Sequence, residues 1–171
     1  MQLTLSKFLY LASWCVRYYL VIGTLIEENE MSSVTSLNLT LYQDDVTVYR
    51  LNKETQLPPD IFTLKWFTIS KTLDEVSIIL PSQCGFVIGD KMTKAEPGWR
   101  VIKIEAVLDF GLVGTLASIV TPLKEEAIPV FVVSTYDTDY ILIKSEHVEK
   151  AKKAIIKSTG YAFTLSDTSL V

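Results

Sequence analysis

Two carboxylates, Asp137 and Asp139, stand one residue apart in the stretch Thr135-Tyr136-Asp137-Thr138-Asp139-Tyr140. Acids so placed can exchange protons with a substrate or hold a divalent cation. Turns are naturally rich in Asp, however, because its side chain bonds nearby backbone. No third carboxylate or lysine at suitable spacing accompanies the pair, so solvated turn residues are the stronger reading. Asp109 opens a predicted helix. There it caps the first amides, or it neutralises an ammonium beside N–H groups that suit a carboxylate; capping alone is the favoured alternative. The second arrangement is complementary to a zwitterionic amino acid. One histidine, His147, and two distant cysteines, Cys15 and Cys84, form no zinc set and no nucleophile–base pair. His147 falls in the first turn of a charged helix, and Cys84 reads as a small buried hydrophobe. These residues assemble no catalytic constellation, so neither an enzyme nor a cofactor or metal site is expected.

The whole composition narrows the partners. Sixteen Lys and Arg stand against twenty Asp and Glu, a net charge of −4. No basic run interleaved with aromatics is present to neutralise phosphates, which argues against nucleic acid. At 171 residues, 49% of them hydrophobic, the chain can bury the core of one ordinary domain or two small ones.

The elements that must position the candidate residues follow from periodicity. Pro129–Lys144 sets two β-branched, apolar runs, VFVVS and YILIK, around the connector 135–138, which predicts a β-hairpin. Before it, WRVIKIEAV (99–107) alternates as a strand. Asp109 then caps a helix with Leu112, Leu116, Ile119, Val120 and Leu123 on one face, which Pro122 kinks or restarts. Its other edge, Gly111, Gly114, Thr115 and Ser118, is small, suiting either plain surface or close approach by a ligand or a second chain. After the hairpin, Ser145 caps a helix through Ser158, Gly160 ends it, and YAFTL is a final strand. The second half thus reads βαββαβ, a ferredoxin-like unit with a four-stranded antiparallel sheet.

The first half is helix-poor. LNLTLYQ (37–43) and DVTVYRL read as strands on either side of an Asp44-Asp45 turn. Asp60 caps a short turn through Leu64, WFTIS and VSIIL are strands, and 81–98 is a loop or a poor helix. Shifting the chain by 64 residues lays Phe67 on Phe131, Ser70 on Ser134, Glu75 on Asp139 and LNLTLYQ on VIKIEAV. That register predicts an internal duplication. The expected organisation is an apolar extension over 1–35, a degenerate unit over 36–97 and a second unit over 98–171, in the α+β class.

Residues 8–26, FLYLASWCVRYYLVIGTLI, are long enough to span a bilayer. Nine Leu, Ile, Val and Phe residues contribute roughly −3 to −5 kcal/mol to insertion, and Arg17 near the centre costs roughly +3. Three readings compete: an anchor, a weakly basic signal without an A-x-A site, and a non-native extension before a start at Met31. The last is favoured, which makes the protein cytoplasmic, with membrane contact through 8–26 as the alternative.

Several motifs carry a resemblance: Gly98-Trp99-Arg100, Leu108-Asp109-Phe110, Gly114, the helix from Ala117 to Pro122, and Ser134-Thr135-Tyr136-Asp137-Thr138-Asp139-Tyr140. Together they resemble ACT domains of the CASTOR type, small bacterial tandem-ACT proteins and eukaryotic arginine sensors, over about 36–158 and most strongly over 98–146. The resemblance implies a tandem of ACT units, no catalysis, and an amino acid bound between units. It would place ligand contacts on Leu108, Asp109, Phe110, Gly111, Leu112, Val113 and Gly114, and on Thr135, Tyr136, Asp137 and Asp139 of the hairpin. Asp139 matches the acidic position that serves a basic side chain in the arginine sensors. Gly111 and Val113 depart from it, since relatives commonly carry Ser or Thr there. With two units per chain, the resemblance implies a twofold homodimer through the second unit; the competing expectation is a ligand-free scaffold that only dimerises.

Overall fold

A long strand, β1 (Asn38–Asn52), runs through the middle of the described sheet and pairs with three others. The computed structural model describes residues 37–85, 92–108 and 113–171, and these all lie in one compact unit, Ser36–Val171. The apolar segment 8–26, and with it the choice among anchor, signal and extension, lies outside the described residues. So do Asp109, Phe110, Gly111 and Leu112.

After β1 come a 3-10 turn (Pro59–Thr63), β2 (Thr68–Lys71), β3 (Glu75–Pro81) and β4 (Met92–Ile104). They are followed by helix α1 (Thr115–Glu125), β5 (Val130–Ser134), β6 (Asp139–Lys144), a 3-10 turn (Ser145–His147), helix α2 (Val148–Thr159) and β7 (Ala162–Ser166). The strands make one seven-stranded sheet in the order β2-β3-β1-β4-β6-β5, with β7 alongside β1. The described residues form an α+β fold with a mostly antiparallel sheet and two α-helices. The hairpins β2–β3 and β5–β6 stand at opposite ends, each joined through its second strand to a long central strand.

Alternation along the strands sorts the core into two faces. Leu39, Leu41, Ile102, Ile104, Ile141 and Ile143 lie beneath α1 and α2, meeting Ile119, Leu123, Ala151 and Ile155. Leu51, Val76, Ile78 and Leu80 pack with Ile61 of the first 3-10 turn. The helix-free face holds Val46, Ile79, Trp99, Val101 and Leu142, with Leu170 of the C-terminal segment buried among them.

Five expectations are corrected, among them that 81–98 is a loop or a poor helix, since β4 already begins at Met92. First, β7 does not close a four-stranded sheet against β4. Its residues 162–166 pair in parallel with 38–42 of β1, which stands between β7 and β4. Second, Asp44-Asp45 is not a turn, because β1 continues through it. Four steps from Leu41 to Asp45 oppose only two from Ile102 to Arg100, so two extra residues bulge out. Arg100 Nε donates to the Tyr42 carbonyl (3.1 Å), Asp45 accepts from the Ser145 hydroxyl (2.7 Å), and Asp44 accepts from the Leu170 amide (2.7 Å). Partners supplied from distant elements satisfy a strand that local composition reads as broken.

Third, Ser145 caps no helix. Its hydroxyl also reaches the Gly98 carbonyl (3.2 Å), and His147 holds the N-cap position of α2. Asp60 likewise lies inside its 3-10 turn, behind Pro58. Fourth, α1 begins at Thr115 rather than at Asp109. Gly114 precedes it in the left-handed region (φ 96°), a conformation glycine adopts without steric cost and one that cannot continue a helix backwards. The helix runs through Pro122 to Glu125. It ends with the Ile128 amide on the Leu123 carbonyl (2.9 Å), the Ala127 amide on the Lys124 carbonyl (3.0 Å), and Ala127 itself at φ 53°.

The Gly98-Trp99-Arg100 motif has a structural role. Two steps from Val46 to Val48 oppose three from Trp99 to Glu96, so β4 carries one extra residue where Gly98 adopts φ 74°. Trp99 then enters the helix-free core with the Lys144 ammonium 4.4 Å from its ring centroid.

Candidate functional site

The predicted contact residues fall on two segments, and the structure places Leu108, the described start of the first, against the second. The hairpin connector between β5 and β6 is closed on itself. The Thr135 amide donates to the Thr138 carbonyl (2.9 Å), as does the Thr135 hydroxyl (2.7 Å), while the Thr138 amide reaches Thr135 Oγ1 (3.3 Å). Threonine hydroxyls commonly complete turns in this way.

The segment that leaves β4 lies against this connector. The Leu108 amide donates to the Asp137 carbonyl (2.7 Å), and the Thr138 hydroxyl donates to the Ile104 carbonyl (2.7 Å). Leu108 packs on the helix-side core. Of the predicted residues, Leu108, Thr135, Asp137 and Asp139 are thus placed together, with Tyr136 79% exposed at the tip. Val113 is 93% exposed and Gly114 opens α1, both beyond the undescribed 109–112.

Thr138 was not among the predicted site residues, yet it is one of two buried polar side chains in the described core. A β-branched hydroxyl flanked by two aspartates in a polar connector was the available signal, because such a residue can face inward while its neighbours face water.

Charge is arranged on the same end. Lys103 Nζ donates to Glu105 Oε2 (2.7 Å), and this bond raises the Lys103 pKa. Burial pushes the Glu105 carboxyl up, but bonds from Lys103 and Thr40 outweigh it and leave it below its usual value. Burial also raises the Tyr42 phenol on the same face, against the lowering field of Lys103.

The remaining candidates lie apart. His147 Nε2 is 3.6 Å from Glu146 Oε1 at the start of α2. Cys84 is half-buried against the core under the first 3-10 turn. The small edge of α1 is partly closed, since the Ser118 hydroxyl donates to the Thr115 carbonyl (2.7 Å) and meets Tyr161 Oη (3.1 Å). Among the described residues no group of three His, Cys, Asp or Glu could hold a metal. No helix among them is long and apolar enough to cross a membrane.

Comparison with known proteins gives this arrangement a context. No curated protein matches the sequence. The solved structure of protein Atu0741 from Agobacterium tumefaciens is similar, at 26% identity and a TM-score of 0.67, over 78% of this chain and 96% of that one. Protein VC0802 from Vibrio cholerae, named as a possible transport protein, shares the fold at 20% identity and a TM-score of 0.54, over 72% and 91%. The regulatory subunit of aspartate kinase from Thermus thermophilus does so at 9% identity and a TM-score of 0.50, over 70% and 95%. Residues 94–157, from near the start of β4 to the last turn of α2, match the ACT domain family.

Proposed function

We propose that this protein is a non-catalytic regulatory module that binds a free amino acid. The ligand lies between the strand-to-helix segment 108–114 and the connector residues Thr135, Tyr136, Asp137 and Asp139. The observation that carries this reading is the pair of 2.7 Å hydrogen bonds that hold the connector against Leu108 and the end of β4, within the stretch that matches the ACT domain family. ACT domains are regulatory amino-acid-binding modules. The first turn of α1 offers backbone N–H groups to a carboxylate, and the connector supplies carboxylates for an ammonium.

In this reading the halves 36–97 and 98–171 form the tandem of the CASTOR type within one sheet, each with a hairpin at its end. The 64-residue shift supports it, since β3 (75–81) maps onto 139–145 and β6 spans 139–144. A cytoplasmic twofold homodimer through the second half completes the site. Gly114 and Thr115 are the part of the small edge left for the contact, because Ser118 is engaged with Tyr161. Replacing Gly114 with Trp blocks association and ligand binding together, which light scattering reads directly.

A thermal-shift screen against the twenty amino acids tests the proposal. A ligand at a hundredfold excess over Kd stabilises the native state by about 2.7 kcal/mol. For a chain of this size that moves Tm by roughly 5–10 °C. A flat screen on well-folded protein would instead favour a scaffold that only dimerises.

A further inference from the structure

We propose that Thr138 is the positioning residue of this site, the side chain that fixes the connector to the end of β4 and, through Asp137, sets the position of Leu108. The inference rests on the amino-acid-binding reading for its consequence, but its geometry stands alone.

The ladder between β4 and β6 ends at Lys103 opposite Tyr140. One residue further along β4, the Ile104 carbonyl is met by a side chain rather than by backbone: Thr138 Oγ1, at 2.7 Å and buried. Thr138 is 6% exposed, while its neighbour Asp137 faces solvent. The same residue also closes the connector, through its carbonyl and its amide, onto Thr135. One threonine therefore holds the loop's internal shape and its attachment to the sheet. The attachment sets the position of the Asp137 carbonyl, which is the acceptor for the Leu108 amide. Leu108 begins the strand-to-helix segment, so its position is inherited from Thr138 through Asp137.

Burial makes this connection specific to the hydroxyl. A methyl in its place fills the same space but leaves the Ile104 carbonyl without that donor, a defect that buried backbone rarely tolerates. A loosened connector would then release the Leu108 amide.

The test compares Thr138→Val with Thr138→Ser by hydrogen exchange in ligand-free protein and by titration with whichever amino acid the screen finds. Thr138→Val is expected to speed exchange of the Leu108 amide about tenfold and weaken binding about tenfold, with exchange in the β2–β3 hairpin unchanged. Thr138→Ser restores the donor and is expected to keep both within about threefold of wild type, a difference below the cost of a lost buried hydrogen bond. Unchanged Leu108 exchange in Thr138→Val overturns the proposal. So does a Thr138→Ser variant as impaired as Thr138→Val, which would assign the effect to the methyl. Should Thr138→Val not fold, Thr138→Ser still decides: accelerated exchange at Leu108 with the donor present refutes the positioning role. If wild type binds none of the twenty amino acids, the functional reading fails, and the exchange comparison still judges Thr138.

Discussion

Replacing Leu39 with Ala tests whether the sheet behaves as a single body. Leu39 is fully buried and lies where β1 is flanked on both sides, opposite Ile104 of β4 and Phe163 of β7. The substitution removes three carbons, worth about 2.4 kcal/mol at about 0.8 each. A partly unrelaxed cavity raises the loss to about 3–4 kcal/mol, within the range for buried Leu→Ala. That is a large share of the 5–15 kcal/mol typical of a native domain, and it lowers Tm by about 10 °C. Urea unfolding should be followed by far-ultraviolet circular dichroism and by tryptophan fluorescence. Trp66 packs beside Tyr140 and Trp99 lies in the helix-free core, so two of the chain's three tryptophans report on the face opposite the helices. Coincident transitions, both shifted to lower urea, are expected. A loss below about 1 kcal/mol, the size of an ordinary surface change, would refute the packing argument. A two-step curve in which one half outlasts the other would refute the shared sheet.

Two further perturbations follow from backbone and charge. Ala127→Gly is expected to stabilise the protein by about 0.5–1 kcal/mol, because Ala127 sits at φ 53°, where a β-carbon costs about 1–2 kcal/mol and glycine returns part of that as unfolded-state entropy; a lower Tm would contradict this. Glu75 is held below the ordinary carboxylate range by bonds from Ser77 and then Arg50. Its contribution is therefore complete above the unfolded value of about 4.3 and disappears as pH falls through the depressed folded value. Glu75→Gln should lower stability slightly at neutral pH, change it little well below the folded value, and so flatten the acid limb of a stability–pH curve below about pH 4.3, as read from urea midpoints.

The elements that were legible in the sequence are those whose signals are local. The hairpin at 130–144, α2 with Gly160 at its end, and the strand after it all declare themselves within a few residues, and Gly160 does adopt φ 71° with its amide on Ile156. What could not be read depends on partners far along the chain. Nothing near Asp44-Asp45 announces Arg100, Ser145 and Leu170, so the acids resemble a turn. Parallel pairing of β7 with β1 leaves no mark on either strand, because each carries the same alternation whichever neighbour it meets. The connector and Leu108, which the structure brings together, were both recognisable from their residue types. The hydroxyl that ties them was not, since whether a threonine faces water or a carbonyl is decided by the fold around it.

The position of β1 has a consequence in time as well as in space. Asn38 and its neighbours emerge early in synthesis, but their parallel partner at Ala162–Ser166 follows more than a hundred residues later. Contacts that join distant parts of a chain must overcome loop-closure entropy before they stabilise anything, so they form slowly. Residues 38–42 of β1 therefore wait on one side while the rest of the described sheet is made, their amides and carbonyls on that side open to another nascent copy. Slower arrival of β7 is therefore expected to leave more newly made protein open to aggregation.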